Sequence, residues 1–166
     1  MKAFFSFRKP FSLAVILSAA LLLNSCKEED EPKPVEEVKA SATINESYNS
    51  FTIATYQVSQ DANNNLINTL TFSRTNNSKI KLIFRGTEEG IFDLQNDTTA
   101  GCEFVDASQR VFQADTGKIV VSTLTIRDGR FTVSGGFEFI GHYPNPNGVP
   151  LRATIKNGGF VNISNN

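Results

Sequence analysis

Tryptophan is absent from this chain of 166 residues, methionine occurs once, histidine once and cysteine twice. One His and two Cys are too few for a zinc finger, a zinc ribbon or a multi-histidine metal centre. No metal and no cofactor is expected. Charge of one sign is not in excess either: 16 Lys and Arg face 17 Asp and Glu, for a formal net charge of −1. That balance gives no reason to expect a nucleic-acid partner. A long apolar run is also missing. Phe11 to Leu23 is apolar over about a dozen residues, whereas a spanning helix needs roughly 20. The length fits one ordinary domain plus short extras.

What is present begins with an address. Lys2, Arg8 and Lys9 precede the apolar run, which ends Leu23-Asn24-Ser25-Cys26. Basic, apolar and small-residue regions in that order predict a secretory signal over residues 1–25. Leu23-Asn24-Ser25-Cys26 resembles a bacterial lipobox. The resemblance implies that Cys26 carries the lipid and becomes the first mature residue. Each buried CH₂ contributes about 0.8 kcal/mol, so two or three acyl chains anchor stably where one does not. The membrane is then a partner through that lipid. Lys27, Glu28, Glu29, Asp30 and Glu31 follow, and they resemble the acidic export signal of Bacteroidota surface lipoproteins. Residues 26–39 as a whole read as a disordered tether, since Pro, like charges and low hydrophobicity support no core. The 13 residues from Lys27 to Lys39 carry three Lys against six acids. Fully stretched they span at most about 45 Å. The expected location is the outer membrane, lipid-anchored and exposed at the cell surface, with a periplasm-facing protein as the alternative. Acylation of Cys26 leaves Cys102 alone, so no internal disulfide is expected.

From residue 40 to 166 the pattern is strand and turn. Ile80, Leu82 and Phe84 alternate with Lys79, Lys81 and Arg85, as on a half-buried strand. Leu70 and Phe72 continue the pattern one segment earlier, where Asn68 interrupts it. Lys118 to Tyr143 is the longest strand signal and breaks at Asp128-Gly129, a hairpin turn. Phe131, Val133, Phe137 and Phe139 share one face after that turn. Asn157-Gly158 predicts a second hairpin, joining Leu151–Lys156 to Phe160–Ile163. Weaker strands are expected at Phe51–Val58, Phe92–Leu94, Gly101–Val105 and Arg110–Ala114. The sum is an all-β fold of about nine or ten antiparallel strands, a sandwich or a small meander barrel.

The block from Gly117-Lys118-Ile119-Val120 through Asp128-Gly129 to Val133-Ser134-Gly135-Gly136-Phe137-Glu138-Phe139 is similar to the C-terminal half of small Bacteroidota lipoproteins with a domain of unknown function. Asn157-Gly158-Gly159-Phe160 resembles their final hairpin, and Gly90-Ile91-Phe92-Asp93-Leu94 their central element. The resemblance implies an all-β domain in the cell envelope and carries no activity and no catalytic residues.

Candidate chemistry is sparse. His142, Tyr143, Asn145 and Asn147 sit in a Pro-rich stretch and form the candidate ligand loop, with Tyr143 as an aromatic edge. No spacing joins His142 to a nucleophile and an acid, so no catalytic residue and no enzyme is expected. Cys102 reads as a buried hydrophobe. Asp93, Asn96 and Asp97 offer oxygen donors but match no calcium loop. Asp97-Thr98-Thr99 resembles the short motif at which Bacteroidota glycosylate exported proteins, with Thr98 as the acceptor. Lys79, Lys81 and Arg85 would form a cationic patch if Arg127, Arg130, Arg152 and Lys156 joined them. The expected function is noncatalytic binding of a glycan or protein ligand at the surface. The alternative is a β-barrel carrier of a small apolar ligand, lined by some of the 14 Phe.

Overall fold

The structure is a computed structural model and describes residues 37–146 and 148–165. The signal at 1–25, Cys26, Lys27 to Glu31 and most of the tether lie outside the described residues, as does Asn147.

Ten strands follow one another: Ala40–Ile44 (β1), Ser47–Phe51 (β2), Ile53–Gln60 (β3), Leu66–Ser73 (β4), Lys79–Arg85 (β5), Gly90–Asp93 (β6), Gly101–Val105 (β7), Val111–Arg127 (β8), Arg130–Tyr143 (β9) and Leu151–Ser164 (β10). They form one antiparallel sheet in the order β2-β1-β10-β9-β8-β7-β5-β4-β3, with β6 also on β8. The sheet curls into a half-barrel. Its two ends, β2 and β3, are consecutive in sequence with only Thr52 between them. The chain therefore turns a corner at Thr52, and β3 comes against β10 across the inside.

Alternation decides which face goes in. Leu70 and Phe72 on β4, and Ile80, Leu82 and Phe84 on β5, are fully buried. Val133, Phe137 and Phe139 on β9 oppose them, with Ile155 and Phe160 from β10. The Phe72 ring stacks on Phe137 at 6.1 Å and lies 5.6 Å from Phe160. These contacts tie β4 to β9 and β10 across the curl. Each such pair adds about 0.5–1.5 kcal/mol beyond the area it buries.

Asn68, which interrupts the alternation in sequence, points inward and is completely buried. The Tyr56 hydroxyl donates to its Oδ1 at 2.7 Å, and its Nδ2 donates to the Gly86 carbonyl at 2.7 Å. Removing one partner of such a buried pair costs about 1–3 kcal/mol. Burial pushes the Tyr56 phenol up to about 12.

Asp128-Gly129 makes the expected hairpin, with φ of 50° and 75° at its two central residues. Asn157-Gly158 does not. β10 runs unbroken from Leu151 to Ser164, and Asn157 at φ 51° sits in a bulge. A two-residue hairpin of this kind needs positive φ at both central residues, and Gly158 has none. Gly158 is needed for another reason: a Cβ there would lie 2.5 Å from the Phe137 ring. The strand expected at Arg110–Ala114 merges with the next one into β8, because Asp115 is an extra residue between the pairs Ala114–Gly141 and Thr116–Ile140. Further bulges follow Val121 on β8, and Ile155 and Phe160 on β10. Each one adds local bend and twist.

Two outcomes follow. Phe72→Ala should cost about 3–5 kcal/mol in a urea titration, because its ring is shared by both halves of the curl. Raising the pH should destabilise the wild-type protein more than Tyr56→Phe. The folded-state pKa of Tyr56 is raised to about 12, so the stabilisation is whole below pH 10. It is lost between pH 10 and about 12, as the unfolded chain ionises first. The difference should reach the order of 2 kcal/mol in urea midpoints, and parallel pH profiles would contradict it.

Candidate functional site

With the inner face filled, the chemistry lies outside. One row of outward side chains crosses seven strands in register: Thr55, Thr71, Lys81, Glu103, Gln113, His142 and Arg152. Gln113 Nε2 donates to Glu103 Oε2 at 2.9 Å. The Asp115 carboxylate meets His142 Nδ1. Asp115 is the extra residue of β8, exposed just after the Ala114–Gly141 pair, and this places its carboxylate beside His142.

The structure divides the candidate ligand loop. His142 and Tyr143 end β9 and do not lie in the loop. Tyr143 turns inward, half-buried, with its ring 5.9 Å from Phe112. The aromatic edge expected of it is thus covered. Asn145 accepts from the Gly148 N–H and donates to the Val149 carbonyl, which closes the turn.

The other sequence candidates fall elsewhere. Thr98 is exposed in the turn after β6, where the Asp97 carboxylate accepts from the Thr99 N–H at 2.7 Å. Asp93 accepts from the Gln95 N–H and the Asn96 side chain, and these donors hold its carboxyl below the usual range. The oxygens of Asp93 and Asp97 are thereby engaged in turn geometry. Cys102 faces the core, and burial pushes its thiol pKa up.

The seven candidate cations do not form one patch. Arg85 approaches Asp61 at 3.8 Å, Lys81 stands opposite Glu103, and Arg127 pairs in register with Arg130 at a hairpin tip. Arg152 and Lys156 remain together, four residues apart on β10. They line an open groove of about 500 Å³ with Thr43, Asn45, Glu46, Ile140 and Thr154. Two-residue turn Asn45-Glu46, with φ of 46° and 70°, folds over β10. There Asn45 Oδ1 accepts from the Thr154 N–H at 2.8 Å. The groove continues over Ile140 toward Gly117 and Thr116. The acids beside it are engaged: Glu138 with Lys118 at 3.2 Å and Asp115 with His142. Arg152 and Lys156 have no ion-pair partner among the described residues.

Sequence reasoning overlooked an aromatic neighbour of the groove. Tyr48 on β2 stands opposite Thr43, which stands opposite Lys156. Its side chain shares the outer face with the groove and is 72% exposed. The alternation of Ala40, Ala42 and Ile44 announces β1, but Asn45-Glu46 lacks the glycine that would have flagged the hairpin carrying Tyr48 into place.

A domain of unknown function, DUF6252, matches residues 40–164. The chain belongs to the DUF6252 family. No curated protein and no solved structure matches it. The DUF6252 match spans all ten strands, both the groove and the Asp115–His142 pair included.

His142→Ala in this DUF6252 domain should change unfolding stability by less than about 1 kcal/mol, because both members of the pair are close to half exposed. A loss above about 2 kcal/mol in urea would instead make the pair part of the framework.

Proposed function

We propose that this DUF6252 protein is a lipid-anchored, noncatalytic binding module of the bacterial cell envelope, of the kind found on the surface of Bacteroidota. The observation that carries the reading is the groove lined by Arg152 and Lys156, with Tyr48 on the same outer face across Thr43. An exposed aromatic ring and two unpaired cations stand there on a rigid sheet. Binding sites placed on strands are held more tightly than sites on loops.

The chemistry elsewhere supports a noncatalytic role. His142 has an acid partner in Asp115, but Cys102 is turned into the core and Ser134 Oγ accepts from the Asn162 N–H at 2.9 Å. The interior favours a module over a carrier of apolar ligands. Phe51, Phe72, Phe84 and Phe160 fill the space that such a ligand would need.

The anchor supports the envelope location. The lipobox at Cys26 would leave the acidic stretch Lys27 to Glu31 just beyond the lipid, and the domain starts at residue 40. Such a tether would set the groove clear of the membrane.

Protease shaving and antibody binding on intact cells test the reading. Wild type should be accessible, and replacing Lys27 to Glu31 with neutral residues should hide it. Cys26→Ala should abolish incorporation of a labelled fatty acid. Protection of the wild type in intact cells would exclude the surface location, and acyl labelling that survives Cys26→Ala would exclude the anchor.

A further inference from the structure

We propose that the outer groove binds an acidic polysaccharide, a chain of sugar rings bearing carboxylate or sulfate groups. The proposal rests on the binding-module reading above and names the ligand class for that site.

Charge is the first argument. Arg152 and Lys156 lie four residues apart on one strand, about 13 Å at the rise of a β-strand. Their nearest acidic neighbours on β8 and β9 are engaged, Glu138 by Lys118 and Asp115 by His142. Of the groove's own residues only Glu46 is acidic. The two cations therefore present separated positive charge, which suits a polymer with an anionic group at intervals better than a single compact anion.

The second argument is the ring. Tyr48 stands largely in solvent, 72% exposed. It stands across Thr43 from Lys156, two strand spacings or about 10 Å away. An exposed Tyr keeps an apolar face available to the C–H face of a sugar ring, and its hydroxyl stays wet. Thr43, Thr154 and the Asn45 amide add donors and acceptors suited to sugar hydroxyls.

The third argument separates a sugar chain from an acidic peptide. β10 is flanked on both sides, by β1 and β9. Its backbone N–H and C=O groups are largely engaged in those ladders, so an extended peptide gains no strand pairing here. Recognition has to come from side chains.

The test uses the purified full chain in detergent, titrated calorimetrically at about physiological salt. The probes are polygalacturonate for carboxylates, dextran sulfate for sulfates, neutral dextran, and poly-glutamate for acidic peptides. Either or both of the first two should bind, neutral dextran should not, and poly-glutamate should bind at least tenfold more weakly. Tyr48→Ala, Arg152→Ala and Lys156→Ala should each weaken binding by about tenfold. Lys79→Ala, which removes the same charge from β5, should change it less than twofold. All four sites are exposed, and thermal melts confirm that the variants stay folded. Equal losses in Lys79→Ala would mean nonspecific charge attraction and overturn the proposal. So would failure of both anionic polysaccharides, or poly-glutamate binding as tightly with the same variant pattern. Accessibility on intact cells is read independently, so a surface-exposed protein that ignores acidic polysaccharides would lose only the ligand class.

Discussion

A sheet with one apolar face must cover that face, and among the described residues this domain has no helix to do it. The sheet covers itself. Phe72 on β4 packs between Phe137 on β9 and Phe160 on β10, and the remaining core is arranged around that crossing. Curling this tightly requires the longest strands to bend, and β8 and β10 bend at bulges. Gly135 and Gly158 sit under aromatic rings, Phe160 over the first and Phe137 over the second. A side chain at either place would push apart the rings that hold the curl closed. Packing and backbone permissiveness are thus two aspects of one constraint.

Polar groups inside the curl are few and satisfied. Asn68 and Tyr56 link β3 to β4 and reach the backbone at Gly86. No buried side-chain polar atom among the described residues lacks a partner. A network of this kind adds little net stability but penalises any register in which its members lose each other. The pairing of β3 on β4 is the place where a neutral edge strand would otherwise slip most easily.

Filling the inside moves function to the outside. The outer face is a pattern of charges whose neighbours decide what is left over. Carboxylates at Glu138 and Asp115 are engaged locally, while Arg152 and Lys156 are not. The bulge that sends Asp115 to His142 therefore does two things. It helps coil the sheet, and it holds Asp115 against His142, the residue opposite Arg152.

Alternation is a local property, and it was legible. The inward faces of β4, β5 and β9, the Asp128-Gly129 turn and the all-β class follow from spacing within a few residues. Asn68 looked like a flaw in one strand because its partner, Tyr56, belongs to another. Asn157-Gly158 has the composition of a turn, yet positive φ at one residue alone makes a bulge, and the ring of Phe137 decides which occurs. The candidate site was the least legible. Tyr143 and Tyr48 look alike in sequence, but one ring lies on Phe112 and the other stands in solvent. The sequence by itself determined the all-β class, the Asp128-Gly129 turn and the facing of β4, β5 and β9, since each depends on neighbours along the chain. Only the tertiary structure decided that Tyr48, Thr43, Lys156 and Arg152 share a surface, because register between distant strands is set by bulges and by packing across the curl.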